Sequence, residues 1–162
     1  MKHIFLVRHA KSSWDHPGLS DIQRPLNARG IKDAPAMAKI FGGLIPEKII
    51  LVSSPAVRAF STASMFREQL GSEVPLELET SLYHGDETDY LSCLQQQDES
   101  FHGAALFGHN PILENFCAQL NDAWSGPVPT CAILQFQSKV TKWQEVNWNN
   151  ILYLNHYFPK EV

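Results

Sequence analysis

Short apolar runs at 3–8, 48–53, 104–108 and 131–136 alternate along this chain with stretches at about 28–41, 56–70, 87–97 and 111–121 whose apolar residues recur at helical spacing. In the last of these, Ile112, Leu113, Phe116, Cys117 and Leu120 share one helical face. Runs so short and so continuously apolar suit strands covered on both faces, and the helices between them supply the cover. The pattern predicts an α/β fold, a sheet with helices on both sides. Two weaker strand candidates lie at 74–79 and 143–148, and the last two strands can pair as a hairpin that gives the sheet an antiparallel edge. No repeat, low-complexity tract or compositional break interrupts the 162 residues, so a single domain spanning 1–162 is expected.

Composition excludes several classes of function. With 44% apolar and 19% charged residues the chain has the balance of a soluble protein, and no apolar run approaches the roughly 18 residues of a membrane span. Only four consecutive apolar residues lead up to Arg8, fewer than the roughly 7–15 of a signal-peptide core, so the cytoplasm is the expected compartment. Cys93, Cys117 and Cys131 form no Cys-x-x-Cys pair, and buried free thiols are expected. The net charge of −4 gives no footprint for nucleic acid or an anionic membrane, yet residues 1–70 carry +5 and residues 71–162 carry −9. That asymmetry leaves room for a small anion in the first half.

Three strand-to-helix switches concentrate the chemistry. "IFLVRHAKSSWD" ends a strand on Arg8 and His9; "IILVSSPAVRA" passes through Ser54 as N-cap and Pro55 as first helical residue to Arg58; "ALFGHNPILENF" places His109 before Asn110 as N-cap and Pro111. In open α/β sheets ligands bind outside the carboxyl ends of the strands, where helix N-termini present unpaired N–H groups. Two arginines and two histidines are thereby aimed at one rim. Guanidinium forks suit phosphoryl oxygens, and an imidazole can serve as nucleophile. Taken singly, each is an ordinary surface or hydrogen-bonding residue; the order and the shared setting carry the signal.

With those residues in view, "LVRHAKSSWD", "RPLNARG", "SSPAVRAFSTA" and "GHNP" resemble the successive motifs of the histidine phosphatase, or phosphoglycerate mutase-like, superfamily, from residue 4 to about 120. Ala10 stands where the Arg-His motif usually continues with Gly, as in the short branch that resembles phosphohistidine phosphatases. The resemblance implies a mixed, mainly parallel sheet and no metal cofactor. It also implies that His9 is the phosphorylated nucleophile and that Arg8, Arg58 and His109 complete the catalytic, phosphate-binding pocket. The implied activity is a metal-independent phosphatase acting on phosphohistidine in a partner protein. A small-molecule phosphomonoesterase or mutase of the same superfamily, and a phosphate-binding module without turnover, are the alternatives.

Larger relatives carry an acid that protonates the leaving oxygen. Asp86, Glu87 and Asp89 of "LYHGDETDYL" lie in the corresponding stretch, but an Asp N-cap followed by acids in the first turn is ordinary helix capping, and capping is the expected role, with Asp86 and Glu87 the alternatives for a general acid. Arg24 is either a substrate contact or an exposed loop cation; His84 and His102 are expected at the surface, and Trp14 against the active-site loop. Cysteine-phosphatase chemistry needs an arginine close behind a reactive thiol, but Glu99, Ala123 and Gln137 stand six residues beyond the three cysteines. "HGDETD" is only a weak imitation of a metal-ligand motif.

Overall fold

The computed structural model describes all 162 residues. Six strands, β1 (Lys2–Arg8), β2 (Ile49–Ser53), β3 (Leu76–Leu78), β4 (Gly103–Gly108), β5 (Ile133–Ser138) and β6 (Ile151–Tyr157), form one sheet in the order β3-β2-β4-β1-β5-β6. The pairs β2/β3, β2/β4 and β1/β4 are parallel, while β1/β5 and β5/β6 are antiparallel. The sheet is thus mixed and mainly parallel, with an antiparallel edge. No helix is long and apolar enough to cross a membrane.

The alternation of side chains along each strand builds two cores from one apolar run. Ile4 and Leu6 point to one face, with Ile50, Val52, Leu106 and Leu134, beneath α4 (Glu87–Gln95) and α5 (Ile112–Ala118). Phe5 and Val7 point to the other, with Leu51, Phe107 and Ile133, beneath α1 (Ala28–Gly42) and α2 (Val57–Leu70). Helix α1 continues past Pro35 because that residue lies on its exposed side. There a helix curving round a core already lengthens its hydrogen bonds, so the missing N–H is tolerated best. A short helix α3 (Ser81–His84) lies between β3 and α4.

Two expectations are corrected. Residues 143–148 are not a strand: Trp143–Glu145 make a 3-10 turn that buries the indole, whose Nε1 donates to Phe101 O at 3.0 Å, and the edge strand follows at 151. The helix starts also fall later, with Ala56 and Pro111 as N-caps, so Pro55 and Pro111 are not first helical residues. Ser54 and Asn110 have other work. Ser54 Oγ accepts from Ala56 N (3.1 Å) and meets His109, while Asn110 Nδ2 donates to Glu114 Oε1 (3.1 Å) and Val128 O (2.8 Å). All three cysteines are buried free thiols, and burial pushes each up to about 12.

Candidate active site

Register places the first two site residues. Arg8, the last residue of β1, sits opposite Gly108 at the end of β4, and His9 N donates to Gly108 O at 3.1 Å. The next residue of each strand is a histidine, and the two rings lie 5.3 Å apart between centroids. A side chain at 108 would overlap the Tyr90 hydroxyl. That hydroxyl donates to Leu82 O (2.6 Å) and accepts from His109 N (3.3 Å), so glycine at 108 lets the α4 face support the His109 backbone.

The His9 tautomer follows from its neighbour. Nδ1 lies 2.7 Å from Ala10 O, and a carbonyl only accepts, so Nδ1 carries the hydrogen and Nε2 carries the lone pair. Burial, reinforced by His109, Arg58 and Arg8, lowers the His9 pKa to about 3, so the ring is neutral at pH 7. Ala10 fills the place of the usual glycine without left-handed backbone. Its N–H donates to Thr62 Oγ1 (2.9 Å), which donates in turn to Arg58 O (2.8 Å), tying the loop after β1 to α2.

His109 is set by a serine. Ser54 Oγ, fully buried, accepts from Ala56 N and lies 2.8 Å from His109 Nε2. The arrangement that satisfies every group has the Ser54 hydroxyl donating to Nε2, which leaves Nδ1 as an N–H donor. Burial, then Arg58, lowers the His109 pKa to about 4. Arg8 Nη1 donates to Val128 O at 2.9 Å. Arg58 donates through Nη1 to Asp21 O (2.7 Å) and through Nη2 to Asp21 Oδ2 (3.0 Å). Three buried nitrogens, Arg8 Nε, Arg58 Nε and His109 Nδ1, have no acceptor in the protein. Buried donors are ordinarily paired, so this cluster is the mark of a site that takes an anion.

The structure therefore brings Arg8, His9, Arg58 and His109 together. Asp86, Glu87 and Asp89 belong to α4: Asp86 caps the helix, accepting from Thr88 N and Asp89 N, and Asp89 Oδ2 accepts from Asp86 N in return. Arg24 is neither free nor exposed: it donates to Asp21 Oδ1 (3.2 Å) and Ser12 Oγ (2.9 Å), 3.6 Å from the ring centroid of the exposed Trp14. His84 and His102 lie at the surface. Asp21 and Tyr83 lie outside the motifs, and the roles of Thr62 and Ser54, though both stand in "SSPAVRAFSTA", were not read from it. Only Thr62, one helical turn after Arg58, had a spacing that could have pointed to it.

Comparison with known proteins agrees with this geometry. The family model of the histidine phosphatase superfamily (branch 1) matches residues 4–98, more than half of the chain, and the chain belongs to that superfamily. An uncharacterized chloroplastic protein of Arabidopsis thaliana is 28% identical over 155 residues, covering 89% of this chain and 70% of that protein. Two solved structures share the fold with a TM-score of 0.79, each alignment covering 98% of both chains. One is a candidate phosphohistidine phosphatase SixA from Agrobacterium tumefaciens, 22% identical. The other is the protein histidine phosphatase SixA complexed with tungstate, 23% identical.

Proposed function

We propose that this protein is a metal-independent phosphatase that acts through phosphohistidine at His9, and that its substrate is phosphohistidine on a partner protein. The carrying observation is the neutral His9 ring, Nε2 lone pair unengaged, beside three buried donors without protein acceptors. Nε2 attacks phosphorus, the leaving group departs with its electron pair, and water then attacks the phosphorylated ring to release phosphate. Arg8, Arg58 and His109 Nδ1–H hold the phosphoryl oxygens and balance the charge of the transition state, the largest contribution in phosphoryl transfer.

The substrate class follows from which acids are available. An alkoxide leaves poorly unless a positioned acid protonates it, whereas the nitrogen of a phosphoramidate can carry its own proton and depart neutral. Asp86 and Asp89 are engaged in capping, which leaves Glu87 in the first turn of α4 as the acid to test, and the carboxylate that does reach the site, Asp21, is held at about 2, chiefly by the Tyr83 hydroxyl and then by Arg58, and is ionised at pH 7. The likeness in fold to two structures described as phosphohistidine phosphatases supports the same substrate. Brief exposure to labelled phosphohistidine peptide followed by denaturation should trap an acid-labile, base-stable adduct on His9. Label on a Ser or Cys would sink the assignment. Equal kcat/KM on phosphohistidine peptide and alkyl phosphates, with a large loss on alkyl phosphates in Glu87→Gln, would favour a small-molecule phosphomonoesterase.

A further inference from the structure

Asp21 lies outside the four residues aimed at phosphorus, yet it is the most heavily bonded carboxylate around them. Arg58 donates to it twice, through Nη1 to the backbone carbonyl and through Nη2 to Oδ2; Arg24 Nε donates to Oδ1, and the Tyr83 hydroxyl donates to Oδ2 at 2.7 Å. The Tyr83 ring meets the His109 ring edge-on at 5.5 Å. One residue of a 3-10 turn, Asp21–Gln23, so connects α2, α3 and the loop after β1. The Arg58 side chain is 7% exposed and that of Asp21 50%. The carboxylate therefore stands at the mouth and the guanidinium beneath it.

We propose that Asp21 is a positioning residue that fixes the Arg58 fork and, as a permanent negative charge beside it, weakens the hold of the pocket on phosphate so that product leaves. The inference rests on the phosphatase reading above and adds to it a determinant of product release. Arg8, Arg24 and Arg58 bring three positive charges to one small region, and an anion bound equally well before and after reaction gains nothing in rate while slowing release. A fixed counter-charge lowers that uniform affinity without removing the donors.

Charge and geometry can be separated at this position. The Asp21 carbonyl holds Arg58 Nη1 whatever the side chain, and an asparagine amide oxygen can still accept from Nη2. With its amide oxygen toward Arg58 and Tyr83, Asp21→Asn therefore removes the charge and keeps both Arg58 acceptors; only the Arg24 Nε bond is lost, and Arg24 Nη1 still holds Ser12 Oγ and Ser13 O. Titration calorimetry with inorganic phosphate on the full chain should show D21N binding about three- to tenfold more tightly than wild type, the scale of a like-charge repulsion several ångströms away near a protein surface. The difference should shrink at about 0.5 M NaCl, where such interactions are screened. Asp21→Glu, which restores the charge, should return affinity toward wild type, and kcat of D21N on phosphoramidate should not rise. Equal or weaker phosphate binding by a D21N protein with wild-type melting temperature overturns the proposal; if D21N melts early, Asp21→Ser is read the same way. A wild-type protein that neither binds phosphate nor releases it from phosphoramidate fails the phosphatase reading itself, a result distinct from phosphate binding that ignores position 21.

Discussion

Strand β1 carries a cation at each end, Lys2 buried and Arg8 half-buried, and the two are treated differently. At its start Lys2, 3% exposed, donates to Glu99 O (3.2 Å) and Phe101 O (2.9 Å), pairs with the Glu99 carboxylate (3.4 Å) and lies 5.0 Å from the centroid of the Trp143 ring. At its end Arg8 donates one Nη to Val128 O and keeps a buried Nε without an acceptor, as do its neighbours Arg58 and His109 at Nε and Nδ1. Both cations donate to backbone carbonyls. A buried charge whose donors are all answered by the chain is a strut; one whose donors remain unanswered, among others like it, is a binding site.

Substitutions at the two ends should separate along that line. His9→Ala should abolish both turnover and the acid-labile label, with phosphate release assays at the blank rate. Arg58→Ala and His109→Ala should each lower kcat/KM by about 10² or more, the usual loss when a preorganised donor to the transition state is removed. At the other end, Lys2→Met should leave kcat/KM within about twofold and instead lower unfolding free energy by about 1–3 kcal/mol, the range for buried carbonyls stripped of their donor. A large loss of turnover in Lys2→Met, without a fall in Tm, would break the comparison.

The titrations sharpen it further. Because His9 and His109 have folded pKa values of about 3 and 4, below the ordinary 6.5, the nucleophile stays neutral as pH falls through 6.5, and the acid limb of kcat/KM should lie below pH 5. Proton uptake favours the unfolded chain over the same interval. The stability these two neutral rings allow is complete above 6.5 and is lost as pH falls toward 4 and 3, which denaturant midpoints at pH 7, 5.5 and 4.5 would follow. The smallest effect belongs to the acids of α4: Asp86→Ala should cost about 1 kcal/mol through its cap and leave the rate on phosphoramidate unchanged.

Much of this was legible in the order of residues. Strands β1, β2, β4 and β5, the long helices and the convergence of Arg8, His9, Arg58 and His109 follow from apolar periodicity and from three strand-to-helix switches, all of them local patterns. The missed features depend on contacts across the fold. Asp21 meets Arg58 across 37 residues and Tyr83 across 62, and nothing in the text of a surface loop says which helix end it will cover. Trp143 was misread for a related reason: an aromatic in an alternating stretch looks like a strand, and only the Lys2 and Phe101 carbonyl cluster beneath it favours a turn. The shifted helix starts reflect competition, because Ser54 and Asn110 are good caps whose polar atoms the site and its supporting loop take instead.

The position of β1 in the sheet also has a consequence in time. It precedes every other strand of the sheet in the chain, yet its neighbours are β4 and β5, which begin at Gly103 and Ile133, and Arg8 finds Val128 across 120 residues. Pairings this distant are slow to form, and the run Ile4–Val7 stays without either neighbour strand until most of the chain exists. A nascent chain stopped before residue 103 should therefore leave the amides of residues 4–7 open to pulsed hydrogen exchange. His9 follows directly on the earliest strand of the sheet and is among the last residues to be placed, so a competent site should arrive only with β4 and β5.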